Sequence, residues 1–251
     1  MATPIHGKGV RVLCDERDLS DFLREVQVSA EAETSDVTTF GDNDRSFIPG
    51  IRDATYSFDG LFAASTTAAD DIANFFDGSI GGSTRHVYTV DLTRSTGGRA
   101  WLIFADNTQY DISSPLSDVV SLSVDAQASG GYRGGRMLRP LAAATSTGSN
   151  TGVLTVGTTS AGGTTGGGVG HLHITAASTV TSIVTKIQHS TSGSTWADLI
   201  TFTAATQETF QRSTVSTTVK ERTRATISTF TGGASKSASI SVAFARQAGK
   251  S

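Results

Sequence analysis

At 251 residues the chain can bury one large core or two ordinary ones, and 27 glycines with only 7% aromatic and 17% charged residues favour many short strands over helices. The lone Cys14 excludes an intramolecular disulfide, no stretch reaches the roughly 18 consecutive apolar residues of a membrane span, and the first eight residues lack the apolar run of a signal peptide. The net charge of −3 hides an asymmetry: residues 1–150 carry 20 acidic and 12 basic side chains, net −8, whereas residues 151–251 carry 3 and 8, net +5.

These features lead us to expect a soluble chain, folded in a reducing cytoplasm, with two bodies of different charge. The first strand is expected at Gly9 to Cys14. From Phe22 to Glu33, the residues Phe22, Val26, Val28, Ala30 and Ala32 alternate with Glu25, Gln27, Ser29, Glu31 and Glu33, the period of a half-buried strand. Arg24 breaks the apolar side, either pairing with a carboxylate at a subunit contact or, the favoured reading, laying its stem along the rim of a sandwich. The polar segment Thr34 to Arg52, with Pro49-Gly50, reads as a long loop, and loops of that length are usually functional or disordered.

A second strand, Asp53 to Phe62, sets Ala54, Tyr56, Phe58 and Phe62 against Asp53, Thr55, Ser57 and Asp59. Thr66-Thr67 can cap a short helix carrying Ile72, Phe75 and Phe76 on one face, with Gly78 as its stop. Strands are then expected at Arg85 to Leu92, Ala100 to Asp106 and Gln109 to Ser113. Another, around Val120 to Gln127, opposes Val120, Leu122, Val124 and Ala126 to Ser121, Ser123, Asp125 and Gln127. Gly130 to Arg136 reads as an exit arm. The three polar faces carry six carboxylates, Glu25, Glu31, Glu33, Asp53, Asp59 and Asp125, with no Lys or Arg among them. Solvated sheet faces usually mix both signs.

After Pro140 the composition shifts to small residues, which gives a first domain over 1–140, a linker over 141–152 and a second domain over 153–251. The second domain shows seven short strand patterns with Gly-rich connections, among them Val169 to Thr175, Thr179 to His189, Glu221 to Phe230 and Ala238 to Arg246. That pattern suggests a β-sandwich, with Trp196, Ile200 and Phe202 in its core. The fold class expected for the whole chain is all-β with one short helix, two sandwiches in succession.

Signals for catalysis are weak. Gly162 to Gly168 is followed by no Gly-Lys-Ser/Thr, so it reads as a turn rather than a phosphate loop. His171 and His173 share a strand face, but two ligands make a poor metal site, and a packed or surface pair is favoured. Asp42-Asn43-Asp44 opens like a calcium loop, yet Arg45-Ser46-Phe47 departs from it. No enzyme activity, cofactor or metal is expected. Lys220, Arg222 and Arg224 alternate on one strand face and read as solvated surface, with an anionic partner as the sharper alternative.

The stretches Asp36-Val37-Thr38-Thr39-Phe40-Gly41-Asp42, Phe47-Ile48-Pro49-Gly50 and Asp53-Ala54-Thr55-Tyr56-Ser57-Phe58-Asp59-Gly60-Leu61-Phe62 resemble the tail tube proteins of long, non-contractile-tailed bacteriophages. The resemblance covers about residues 5–130. It implies a sandwich with a flanking helix, six copies in a ring, rings stacked into a tube, and a bore lined by Glu25, Glu31, Glu33, Asp53, Asp59 and Asp125. It also implies that Thr39, Phe40, Gly41, Asp42, Asp44, Phe47, Pro49 and Gly50 belong to an extended loop reaching a neighbouring subunit or ring. Implied partners are further copies of the chain, a tape measure protein, a tail terminator, distal tail proteins, and double-stranded DNA in transit, not bound specifically. The location implied is the virion tail, assembled in the host cytoplasm. The second domain is similar to accessory β domains that decorate phage structural proteins, where a weak host-surface contact is the expectation. The alternative reading is a capsid or tail decoration or adhesion protein.

Overall fold

The computed structural model describes residues 7–41, 43–62, 75–76, 78–82, 84–116, 119–149, 154–155 and 166–247. Strand dominates them. In chain order the strands are β1 (Arg11–Cys14), β2 (Arg17–Asp18), β3 (Leu23–Asp36), β4 (Phe47–Leu61), β5 (His86–Asp91), β6 (Arg99–Ser113) and β7 (Ser121–Ala144). They continue with β8 (Gly148–Ser149), β9 (Leu154–Thr155), β10 (Gly168–Ser190), β11 (Ala197–Thr201), β12 (Thr209–Val215) and β13 (Arg222–Arg246). Helix among the described residues is limited to a 3-10 turn at Gly7–Gly9 and to Phe75 and Phe76. The remainder of the expected helix, including Thr66, Thr67 and Ile72, lies outside the described residues.

Two compact units form, and they do not follow chain order. One comprises residues 1–20, 87–102 and 133–251; the other comprises 21–86 and 103–132. Strands β6 and β7 contribute a segment to each. The expected linker is partly strand: Ala142, Ala143 and Ala144 close β7 against Ile240, Ser239 and Ala238 of β13. This partition sharpens the charge asymmetry. The first unit holds sixteen Lys and Arg against seven Asp and Glu, net +9, and the second holds four against sixteen, net −12.

The acidic unit is an antiparallel sheet in the order β3-β4-β7, with β6 beside β7. Its apolar face buries Ala54, Tyr56, Phe58, Leu122, Val124 and Ala126. Phe76 packs on Phe58 with ring centroids 5.2 Å apart and stacks on Tyr110 at 6.0 Å. Asn107 donates to the Ser79 hydroxyl, which in turn donates to the Phe76 carbonyl, so the buried polar groups beside these rings are paired.

The basic unit is built on a ribbon of two long strands. β10 and β13 pair from Gly168↔Arg246 through to Ser190↔Arg222, with register shifts around Val180. Thr179 has φ 51° and Gly232 φ 154°, and a Cβ on Gly232 would lie 2.2 Å from the Thr179 carbonyl oxygen. Only glycine permits that close approach. The halves on either side of these residues were expected as four separate strands. One half of the ribbon is flanked by β12 and β7, the other by β11, β8 and β9. Leu172, Ile174, Val242 and Phe244 from the first half and Ile183, Ile187, Ala225 and Ile227 from the second share one core with Ile200 and Phe202. Trp196 does not join that core; it is half-buried, with the Arg224 guanidinium 4.2 Å from its ring.

His171 and His173 are both buried, on the opposite face of β10 from that core. His173 Nδ1 donates to the Asp15 carbonyl at 2.6 Å. Its Nε2 therefore keeps a lone pair for the Thr89 hydroxyl at 2.7 Å, and the Thr89 oxygen also meets His171 Nδ1 at 3.1 Å. Both rings are satisfied as neutral imidazoles in a packed pair. Burial lowers both pKa values, and His173 and Arg212 lower that of His171 further. A folded pKa below the unfolded value of about 6.5 means that the unfolded chain takes up protons first, so this stability is complete above that pH and is lost as pH falls. Denaturation midpoints should therefore drop between about pH 7 and pH 5.5, and His173→Gln should flatten that decline. An unchanged slope in the variant would remove the histidines as its source.

Candidate functional site

The strand register brings the acidic residues together. In β3 and β4, Glu25 pairs with Asp59, Gln27 with Ser57, Ser29 with Thr55 and Glu31 with Asp53. In β4 and β7, Ser57 pairs with Asp125, Asp59 with Ser123 and Thr55 with Gln127. Side chains alternate across the sheet, so these residues share the face opposite Tyr56 and Phe58. Five of the six acids, Glu25, Glu31, Asp53, Asp59 and Asp125, thus occupy one face of three adjacent strands. Two pairs of carboxylates stand directly opposite one another, an arrangement that destabilises a sheet. A shallow depression of about 400 Å³ lies between the pairs, lined by Gln27, Ser29, Thr55, Ser57, Asp125 and Thr108.

The sixth acid, Glu33, sits at an irregularity, where the register shifts between Ala32↔Arg52 and Thr34↔Pro49. It is exposed, and a Cβ on Gly50 would come within 3.3 Å of its Cβ. A second irregularity explains Arg24. Leu23 pairs with Gly60 and Glu25 with Asp59, so Arg24 is the extra residue of a bulge. Leu23 takes the sheet's apolar side, and Arg24 is exposed.

Asp53 is the best-anchored of the acids. Its Oδ1 accepts from the backbone N–H of Ala54 at 2.7 Å and from the Gln127 amide. Thr108 donates its hydroxyl to the Asp125 carbonyl at 3.2 Å, tying β6 to β7 beside the depression.

The expected long loop is a hairpin. β3 runs to Asp36 and β4 starts at Phe47, so strand occupies most of Thr34 to Arg52 and only residues 37–46 connect the two. A Pro-Gly pair and polar composition mimic a loop, but Pro49 lies opposite Thr34 and Gly50 against Glu33. Beyond Ala30↔Ala54 no described side chain of this arm is buried. Thr39, Gly41 and Asp44 are exposed at its tip, Gly50 on its strand, and Asp42 lies outside the described residues. Val37 is 40%, Phe40 114%, Phe47 51%, Ile48 56% and Ile51 76% exposed, an apolar series that no described residue covers.

The tip is nevertheless fastened. Thr38 donates its hydroxyl and its backbone N–H to Asp36, which holds that carboxylate below its usual pKa, and Ser46 N–H donates to the Thr38 hydroxyl at 3.0 Å. Val37 N–H reaches the Ser46 carbonyl at 2.9 Å. The arm is therefore a preorganised projection. On its outer side β3 has no partner among the described residues, leaving a long open edge.

No protein-family model matches the chain, and no curated protein matches it. Among solved structures it is similar to a chain in the virion of a native gene transfer agent particle, at 22% identity and TM-score 0.40, over 51% of this chain and 97% of that one. It is also similar to a chain of an extracellular contractile injection system, the PVC sheath-tube complex in its extended state, at 14% identity and TM-score 0.43, over 53% and 92%. The Dit protein of SPP1, described as a hub adsorption apparatus in phages infecting Gram-positive hosts, matches at 8% identity and TM-score 0.39, over 94% and 98%. All three TM-scores lie below 0.5, and the functional reading is drawn from strand register, exposure and charge instead.

If like-charge opposition strains this face, relieving it should stabilise the isolated subunit. Glu25→Gln with Glu31→Gln should raise the denaturation midpoint at low salt, and the gain should shrink as salt screens the pairs. A midpoint unmoved at low salt would show that the four carboxylates do not repel measurably.

Proposed function

We propose that the chain is a structural, non-catalytic subunit of a bacteriophage tail tube of the long, non-contractile type. Six copies form a ring, rings stack into a tube, and the acidic face of β3, β4 and β7 lines the bore through which double-stranded DNA passes. The observation that carries the reading is the register that gathers Glu25, Glu31, Asp53, Asp59 and Asp125 on one sheet face without a Lys or Arg among them. Glu33 extends the series along β3.

The chemistry of passage explains such a face. Duplex DNA carries one negative charge per about 1.7 Å of axis, so a basic bore would bind and hold it. A bore of like charge keeps the duplex centred and mobile. Six copies would present about 36 carboxylates, with repulsion reaching roughly 8–10 Å at ordinary salt before screening removes it.

Closure into rings also supplies what the single chain lacks. The open edge of β3 can pair with a neighbour, and the arm carrying Thr39, Phe40, Gly41, Asp42, Asp44, Phe47, Pro49 and Gly50 can cover its apolar residues against the next subunit or ring. On this reading the subunit assembles in the host cytoplasm and resides in the virion tail. Its partners are a tape measure protein, a tail terminator and distal tail proteins. In this proposal the acidic unit serves as the tube wall, and the basic unit, which holds all of residues 153–251, serves as an accessory body with weak contact to the host surface. A capsid or tail decoration protein would have no use for an acidic face and a fastened apolar arm on the same sheet.

Electron microscopy of the purified protein tests the architecture: six-fold rings or tubes are expected, and Phe40→Asp with Phe47→Asp should abolish them while leaving the subunit folded. Monomers at every concentration would overturn it. The electrostatic part has its own test. Particles carrying Glu31→Lys, Glu33→Lys and Asp59→Lys should assemble but slow or arrest DNA ejection, and normal ejection from them would sink that part alone.

A further inference from the structure

Within the basic unit, a cavity of about 190 Å³ is lined by Arg99, Arg136, Arg246, Thr223, Gly135 and Phe244 among others, and no carboxylate lines it. Three guanidiniums around one small space repel one another unless an anion sits between them. Arg246 is the fixed member. It is half-buried, and its Nη2 donates to the carbonyls of Lys220 and Glu221. Its Nε is buried with no acceptor among the described residues. Arg136 is tethered at one nitrogen, Nη1 donating to the Gly97 carbonyl at 3.0 Å. Arg99 is exposed, and its guanidinium has no hydrogen-bond or ion-pair partner among the described residues.

The wall is shaped by close backbone packing. A Cβ on Gly135 would lie 2.6 Å from the Phe244 carbonyl oxygen and 2.7 Å from Leu102 Cδ1, so β7 and β13 meet there without a side chain between them. The arginines come from three strands, Arg99 on β6, Arg136 on β7 and Arg246 at the end of β13, and pairing of β7 with β13 sets Arg136 opposite Phe244.

We propose that this cavity is an oxyanion site that takes a phosphate group. The space admits one phosphate, and its open side leaves a substituent free to reach solvent. Phosphate suits the donors better than carboxylate does. It carries a charge of about −1.5 to −2 near neutrality, and its tetrahedral oxygens can face three guanidiniums that come from separate strands. A carboxylate offers one charge and two oxygens in a plane. Arginine forks match phosphate oxygens with paired N–H donors, and they stay charged at any pH the fold survives.

Isothermal titration of the full chain at low salt tests the site, with inorganic phosphate, glucose 1-phosphate and acetate as probes. Saturable one-site binding of phosphate is expected, with acetate weaker by about tenfold or more. Arg99→Ala and Arg136→Ala, both exposed and safe for folding, should each weaken phosphate by about tenfold, whereas Lys236→Ala, which removes an equal charge elsewhere on β13, should leave it unchanged. Tighter binding of glucose 1-phosphate assigns a phosphate carried on a saccharide, and equal or weaker binding assigns the free ion; either supports the site. No saturable binding of either phosphate, acetate binding as tight as phosphate, or an equal loss in Lys236→Ala overturns it.

Discussion

The register of β4 between β3 and β7 is the constraint on which the acidic unit depends. Ala54, Tyr56 and Phe58 are buried on one face, opposite Ala30, Val28 and Val26 on one side, with Tyr56 and Phe58 opposite Ala126 and Val124 on the other. Because side chains alternate, a slip of one residue would turn every one of these to solvent. Burying a side chain of Phe size contributes about 1.5–3 kcal/mol, whereas a cross-strand pair of any kind contributes about 0.2–1 kcal/mol. The apolar face therefore dictates the register, and the carboxylates must accept the neighbours it gives them. Glu25 against Asp59 and Glu31 against Asp53 are a consequence of core packing that a solvated face would normally avoid through mixed charge.

The basic unit solves a different problem with one device. A ribbon of two strands, β10 and β13, changes course near Thr179 and Gly232, and its two halves contribute to one core. The inward set Leu172, Ile174, Ile183 and Ile187 alternates with a second set on β10, and in the first half that second set contains the His171 and His173 pair. One face is apolar apart from Thr185 and His189, while the other, in the first half, closes over a hydrogen-bonded polar chain from Asp15 through His173 and Thr89 to His171. Such a chain tolerates burial only while each member keeps its partner, which ties the N-terminal strand β1 to the protonation state of β10.

Much of this was legible in the sequence, and what was not has physical reasons. The alternation in Asp53 to Phe62 gives the buried Ala54, Tyr56 and Phe58, and that in Phe22 to Glu33 gives the carboxylate face, although its apolar side is at most half-buried, because a period of two is a local property and burial is not. Arg24 could not be read correctly, since a bulge is defined by the partner strand and Gly60 is far away in the chain. The hairpin arm reads as a loop because Pro49-Gly50 carries turn chemistry, whereas an exposed ribbon places no pattern on its two faces. Bends at Thr179 and near Gly232 read as strand ends in the sequence, and Trp196 reads as core because the Arg224 guanidinium over its ring comes from β13, distant in the chain. The arginine cavity was invisible in sequence, its three members lying at positions 99, 136 and 246.

The features that the single chain leaves unsatisfied belong to one sheet and point the same way. β3 alone carries part of the acidic face, one side of the apolar arm and the open edge. An open edge with alternating charge resists random pairing, because a strand that docks on it must face Glu25, Glu31 and Glu33 without bringing carboxylates of its own into opposition. A neighbour presenting its apolar and polar faces in the same sense would place acid beside acid, a repulsion that salt screens. The fastened tip at Asp36, Thr38 and Ser46 lowers the ordering cost of that contact, because the arm is already in its extended shape before a partner arrives. A contact that covered Phe40, Phe47 and Ile51 would thus meet an arm already in shape, beside carboxylates whose repulsion falls as salt screens them.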